Sequence, residues 1–246
     1  MEASEVDALR ARRERILARM ERALSKSGRS LDDAQLIAVS KTVEPPMVEA
    51  AIQAGYTRFA ENRPQMLSAK LACLSQAKGL GPYTFDMIGN LQTNKINSVL
   101  GRVGLIHSVS SLHLARGIST RAKRRLESAQ MGAPQGVLVE VNVLGEASKS
   151  GFSPNELREC FDEVAGLAGI ELHGLMTMAP RGDIAAAHAA FSGLRELRDE
   201  LAGRVPGVNL PELSCGMSGD FEAALEEGST MVRLGRVVFD QQFTLE

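Results

Sequence analysis

The sequence predicts a single-domain (β/α)8 barrel, an α/β TIM barrel, with one extra helix at its N-terminus. Three observations carry that reading. Eight short apolar runs recur along the chain, helical patterns separate most of them, and no shift in composition marks a second domain. The chain has 246 residues, close to the ~250 typical of one such barrel. An open doubly wound sheet shares the alternation. Its first strand, however, should lead into a glycine-rich turn, and Ser40-Lys41-Thr42-Val43-Glu44 contains none.

The elements follow in order. Residues 1–27 are charged but carry Val6, Leu9, Ile16, Met20 and Leu24 at helical intervals, the pattern of an amphipathic helix packed on the barrel. The remaining residues complete one domain spanning 1–246. Apolar runs bounded by turns read as strands buried on both faces. They are Leu36 to Lys41, Arg58 to Asn62, Phe85 to Asn90, Gly104 to Val109, Val137 to Val143, Leu172 to Met178, Leu210 to Gly216 and Thr230 to Val237. A helix over Glu44 to Ala54 opens with Pro45-Pro46 and stops at Gly55, with proline early and glycine just past the end. Ser153-Pro154-Asn155-Glu156 has the capping-box arrangement, with Leu157, Phe161 and Val164 on the apolar face. Ala185 to Leu201 carries Phe191, Leu194, Leu197 and Leu201 at helical spacing. Phe221 to Glu227 is short and ends at Gly228.

A net charge of -2 gives no reason to expect nucleic acid or an anionic membrane as a partner. The N-terminus lacks the apolar core of a signal peptide, and no run is long enough to span a bilayer. Cys73, Cys160 and Cys215 are odd in number and lack metal-ligand spacing. They read as reduced, mostly buried small hydrophobes in a cytoplasmic protein. The four histidines show no paired spacing either, so no metal site is expected.

Chemistry concentrates at the ends of the strands, where barrels place their active sites. Lys41 closes the run Leu36-Ile37-Ala38-Val39-Ser40-Lys41-Thr42, and alternation puts it on one face with Ile37 and Val39, inward at the rim. Desolvation lowers a lysine's pKa, and the neutral amine attacks aldehydes to form a Schiff base. The plainer alternative is a lysine that snorkels to the surface or pairs with a carboxylate. After the seventh strand comes Cys215-Gly216-Met217-Ser218-Gly219-Asp220, and at the eighth Arg233-Leu234-Gly235-Arg236, where barrels often hold phosphate. A tight turn with Ser218 capping the next helix would satisfy the first segment without a ligand, and Asp220 counts against an anion. Arg233 shares a face with Met231 and Gly235, so it should point into the barrel, where a guanidinium requires an acceptor. Glu140 is one available partner. Asn62, Asn90 and Asn142 lie at or near strand ends and could simply tie loops down.

One ligand accounts for the lysine, the glycine loop and the buried arginine together. Pyridoxal 5'-phosphate offers an aldehyde to Lys41, a phosphate to the loops and a pyridine nitrogen to Arg233. An arginine there keeps the ring nitrogen unprotonated and weakens the ring as an electron sink.

The same segments resemble the pyridoxal phosphate homeostasis proteins, a YggS/PROSC-type family, over nearly the whole chain. The resemblance rests on Ala38-Val39-Ser40-Lys41-Thr42, Glu61-Asn62, Ile88-Gly89-Asn90-Leu91-Gln92-Thr93-Asn94-Lys95 and Ser148-Lys149-Ser150-Gly151. It continues through His173-Gly174-Leu175-Met176, Gly216-Met217-Ser218 with Asp220, and Gly228 to Gly235. It implies a barrel similar to the alanine racemase N-terminal domain. It also implies a covalent lysine at Lys41, a ring-nitrogen arginine at Arg233 and phosphate contacts from Ser218, Gly235 and Arg236. Met217 then lies beside the phosphate, and Asn62 contacts the ring side. The chain departs from the family pattern at Ala60, where glycine is frequent, and at Phe85-Asp86, where Trp-His is usual. A further departure is Phe239 to Phe243, where a phenylalanine-glycine pair is common.

The resemblance implies a non-catalytic carrier of pyridoxal phosphate in vitamin B6 homeostasis, in transient contact with apo-enzymes that use it. The competing readings are an amino-acid racemase and a Schiff-base aldolase. Racemisation needs a second acid/base on the ring face opposite the lysine. The only two tyrosines, Tyr56 and Tyr83, precede their strands and should lie at the bottom of the barrel. An aldolase would use Lys41 with no bound cofactor.

Overall fold

The computed structural model describes residues 3–244. Eight parallel strands close into a barrel in chain order: β1 (Gln35–Val39), β2 (Arg58–Glu61), β3 (Thr84–Met87), β4 (Leu105–Val109), β5 (Gln135–Glu140), β6 (Ile170–Met176), β7 (Glu212–Ser214) and β8 (Met231–Leu234). The helices are α1 (Ala3–Ser25), α2 (Pro45–Gln53), α3 (Pro64–Leu74), α4 (Leu112–Glu127), α5 (Pro154–Ala165), α6 (Ile184–Leu201), α7 (Phe221–Glu226) and α8 (Arg236–Phe239). A 3-10 turn, Thr93–Ser98, stands where a helix would follow β3.

Strand alternation sorts the apolar residues into two cores. Ile37, Val39, Ala60, Leu105, Leu138, Met176 and Met231 pack together inside the barrel. Ala38, Phe59, Phe85, Ile106, Val137, Leu213 and Leu234 join the larger core against the helices. Both faces of each strand are therefore covered, as a parallel sheet requires. The helical stripes behave as the sequence predicts, with Ile16, Met20, Leu24, Leu157, Phe161 and Leu194 all completely buried. The α5 capping box is present, Ser153 Oγ accepting from Glu156 N at 3.2 Å and Glu156 accepting from Ser153 N at 2.8 Å.

Charged contacts seat α1 on the body. Arg12 donates to the carbonyls of Val237 and Phe243, each at 2.6 Å, and Arg19 grips Glu222 with two bonds of 2.9 and 2.8 Å. The helix thus braces α8 and α7, the two short helices that follow the seventh and eighth strands.

The strands are shorter than the apolar runs suggest. The eighth ends at Leu234 rather than Val237, because Gly235 turns the chain into α8. The cysteines differ from expectation as well: Cys215 is buried, Cys160 half-buried and Cys73 exposed.

Candidate functional site

Arg233 sits on the inward face of β8 and is 5% exposed. Its Nη1 donates to Ser214 Oγ at 2.6 Å and its Nη2 to the Thr177 carbonyl at 3.0 Å. A guanidinium has five N–H donors. Two are accounted for, which leaves three without a partner among the described residues. Burial lowers the guanidinium's pKa and outweighs the opposing pull of the Asp220 and Glu140 carboxylates. Glu140 is not its ion-pair partner, which corrects the structural pairing that the sequence allows. The Glu140 carboxylate instead accepts from Ser150 Oγ at 2.8 Å, and burial raises its pKa.

Ser218 also departs from the simple turn expected of it. Asp220, not Ser218, occupies the N-cap position of α7. The Ser218 hydroxyl crosses to the neighbouring connection and accepts from Val237 N at 3.2 Å, tying the loop after β7 to the loop after β8. Asp220 accepts from Met217 N at 2.5 Å, so its carboxylate is engaged with the loop's own backbone, and burial raises its pKa. Gly216 makes the turn possible. Its φ is +94°, and a Cβ there would stand 2.7 Å from Ala224 Cβ. Met217, Ser218 and Gly235 are half-buried and Arg236 is exposed, so this cradle opens to the rim.

Lys41 lies beyond the strand on which alternation places it inward at the rim. The strand ends at Val39, Ser40 is buried, and Lys41 is exposed in the turn that follows. Rigid structure stops one residue short of it. Ser40 Oγ donates to Glu61 at 2.6 Å, and the Ser40 carbonyl accepts from Lys70 Nζ at 2.6 Å. Lys70 also pairs with Glu61, both side chains being completely buried between the sheet and α3. Sequence reasoning missed Lys70. The signal was its place between Leu67 and Leu74 on the buried stripe of α3.

Asn62, at the end of β2, is half-buried. With Arg63, Gln65, Asn90, Gln92 and Lys95 it lines a concavity of about 240 Å3 over the ends of β2 and β3. None of those side chains has a hydrogen-bond or ion-pair partner among the described residues. Gly89 closes onto the Asn62 carbonyl so tightly that any side chain would collide with it. Asn142 plays the tethering role, donating to the Glu146 carbonyl at 2.8 Å and accepting from Glu146 N at 3.0 Å. At the opposite, N-terminal mouth lies a concavity of about 900 Å3, lined by Gln35, Arg58 and Thr84 among others. Tyr56 and Tyr83 both border it, at the far end of the barrel from Lys41.

The alanine racemase N-terminal domain family model matches residues 13–241. The pyridoxal phosphate homeostasis protein of Aquifex aeolicus is 39% identical over 232 residues, covering 93% of this chain and 96% of the relative. A protein of unknown function from Bifidobacterium adolescentis superposes with a TM-score of 0.86 at 37% identity, over 97% of both chains. PipY of Synechococcus elongatus, in a structure with pyridoxal phosphate bound, gives a TM-score of 0.75 at 31% identity, over 89% of this chain and 99% of PipY.

Proposed function

Because the chain belongs to the pyridoxal phosphate homeostasis protein family, we propose that it binds pyridoxal 5'-phosphate through Lys41 and serves intracellular vitamin B6 homeostasis without catalytic turnover. The observation that carries this reading is Arg233: a buried cation, bonded twice, with three donors left over beside the Ser218–Val237 tie. That combination suits an aromatic ring acceptor attached to a phosphate.

Lys41, exposed at the rim, is free to carry the cofactor's aldehyde carbon. Ser218 and the backbone N–H groups of Gly235 and Arg236 hold the phosphate, with Met217 beside them, and Asn62 contacts the side of the ring. When bound, the cofactor supplies an electron-withdrawing ring whose strength depends on protonation of its nitrogen. Arg233 opposes that protonation, since a like charge disfavours the charged form. The absence of turnover is supported by the position of the tyrosines at the opposite mouth, which leaves no tyrosine to act across the ring from Lys41.

The proposal includes a single domain with α1 packed on the barrel, residues 1, 2, 245 and 246 lying outside the described residues, and transient contact with recipient apo-enzymes. It also includes residence in the cytoplasm. No helix among the described residues is long and apolar enough to cross a membrane.

Titration of apo protein with pyridoxal phosphate, followed by absorbance, tests the binding, and transfer to an apo-enzyme tests the carrier role. A near-visible band is expected, with borohydride reduction of one sample leaving the cofactor on Lys41 and the unreduced sample passing it on to the recipient. No band would remove the cofactor from the account. Rapid amino-acid racemisation would make the protein an enzyme instead.

A further inference from the structure

A line of hydrogen-bonded polar side chains runs obliquely through the barrel interior, from the bottom of β2 to the top of β8. Arg233 Nη1 donates to Ser214 Oγ at 2.6 Å. Ser214 Oγ lies 2.9 Å from His107 Nδ1, and His107 Nε2 lies 3.2 Å from Asp86 Oδ2. Asp86 Oδ2 accepts from Arg58 Nε at 2.7 Å, and Oδ1 accepts from Leu105 N at 2.9 Å. Asp86, His107 and Ser214 are completely buried. Each residue comes from an inward position on a different strand, so alternation turns all five inward and barrel closure brings them together.

We propose that Ser214, His107 and Asp86 are positioning residues that hold the Arg233 guanidinium in place, in a relay whose polarity puts the single imidazole proton of His107 on Nε2.

The polarity follows from donor and acceptor types. Arginine only donates, so Ser214 Oγ must accept from it. The serine proton then has one acceptor within reach, His107 Nδ1, which must be bare. The ring proton sits on Nε2 and goes to the Asp86 carboxylate. A second ring proton on Nδ1 would strand the serine hydroxyl hydrogen in the core, at the cost of a buried unsatisfied donor. It would also set a third cation between Arg58 and Arg233, with Asp86 the one carboxylate bonded within the line. The electrostatics agree. Burial lowers the His107 pKa, and Asp86 offsets this only in part. Burial alone would raise the Asp86 carboxyl, but His107 and Arg58 outweigh it and hold the pKa below the ordinary value.

A polar plug that merely satisfies itself would need no order. This one ends on Arg233, the buried cation of the candidate site, and Ser214 supplies one of its guanidinium's two bonds to the protein.

The inference rests on the cofactor reading for its functional half and on the apo protein for its structural half, and the two are tested separately. In apo protein with labelled histidine, His107 should show the Nε2–H imidazole signature from about pH 6 to about pH 9. An Nδ1–H tautomer or an imidazolium would overturn the relay whether or not any cofactor binds. In loaded protein, Ser214→Ala and His107→Phe should release the cofactor about tenfold faster, the scale of one hydrogen bond to a charged group. They should also move the ring-nitrogen chemical shift toward protonation. His107→Asn keeps an acceptor near the Nδ1 position and should recover most of both effects. A folded Ser214→Ala protein with unchanged release and unchanged ring shift would overturn the positioning role, even if His107→Phe fails to fold. Loss of the cofactor reading shows itself differently, as wild-type protein that yields no trapped adduct.

Discussion

On the β7–β8 side of the upper rim, Arg233 is buried and bonded twice, Asp220 pins Met217, and Ser218 ties one loop to the next. On the β1–β3 side, Lys41 is exposed, and Asn62, Asn90 and Lys95 surround an open concavity without partners of their own. The floor beneath the second half is nevertheless rigid, because Lys70, Glu61 and Ser40 lock the chain one residue before Lys41. A site with one fixed wall and one open wall suits a ligand that must be held accurately and also let go. The fixed wall can grip a phosphate and a ring nitrogen, while the open wall leaves Lys41, the proposed covalent lysine, accessible to competing amines. Order costs side-chain entropy, so it is found where buried groups need partners and is missing where water can serve them.

The largest expected effect breaks the open wall without touching the fold. Lys41→Ala should abolish the borohydride-trapped adduct, and its unfolding midpoint should match that of the parent to within about 0.5 kcal/mol, as for an exposed site. An undiminished adduct found by mass spectrometry on another residue, such as Lys149, would move the covalent site elsewhere.

Lys70→Met should do the opposite. Stranding a buried Glu61 carboxylate costs about 3–5 kcal/mol, readable in urea unfolding. One oxygen of that carboxylate already lacks a partner among the described residues. A Lys70→Met protein as stable as its parent would mean that Lys41 stands on a floor no firmer than its own turn.

The fixed wall is sharpened by its phosphate contacts. Pyridoxal should bind at least about tenfold more weakly than its phosphate ester, since charge-assisted hydrogen bonds to the phosphate are lost. Ser218→Ala should narrow that gap and cost about 1 kcal/mol of stability through the bond to Val237 N. Equal affinities for the two ligands would take the cradle out of the account.

The smallest effect is a pH dependence set by the relay beneath the fixed wall. The folded-state pKa of His107 is lowered, so the unfolded chain takes up the proton more readily as the pH drops below about 6.5, and stability falls. Asp86 adds its own loss only at more acid pH, as the carboxyl is protonated near and below about 4. The raised carboxyls of Glu140 and Asp220 act in the reverse sense, but equally in a His107→Asn protein. The stability gap between wild type and His107→Asn should therefore narrow between about pH 6.5 and pH 5. A gap that stays constant over that range would show that His107 does not titrate differently in the folded state.

The contrast between the two walls also governs what could be read from the chain. Arg233 was legible because Met231, Arg233 and Gly235 alternate with Val232 and Leu234, and alternation persists to the end of a strand. Lys41 was placed inward at the rim by the same rule, which was carried two residues beyond Val39, where the strand had already stopped, and the side chain is exposed. The alternative for Ser218 was a cap on the nearest helix in sequence, yet its hydroxyl bonds to Val237, 19 residues on.

Eight strands, their inward and outward faces, the proline and serine starts of α2 and α5 and the brace of α1 all follow from the sequence alone. Each is a periodicity of 2 or 3.6 residues or a cap, and such signals act over a few neighbouring residues. The partners of buried charges could come only from the closed barrel. His107 meets Ser214 across 107 residues, Arg233 meets Thr177 across 56, and Lys70 finds Ser40 across 30. No local pattern selects among the distant acceptors a buried donor could use, because the choice is made by which inward positions barrel closure brings within hydrogen-bond distance.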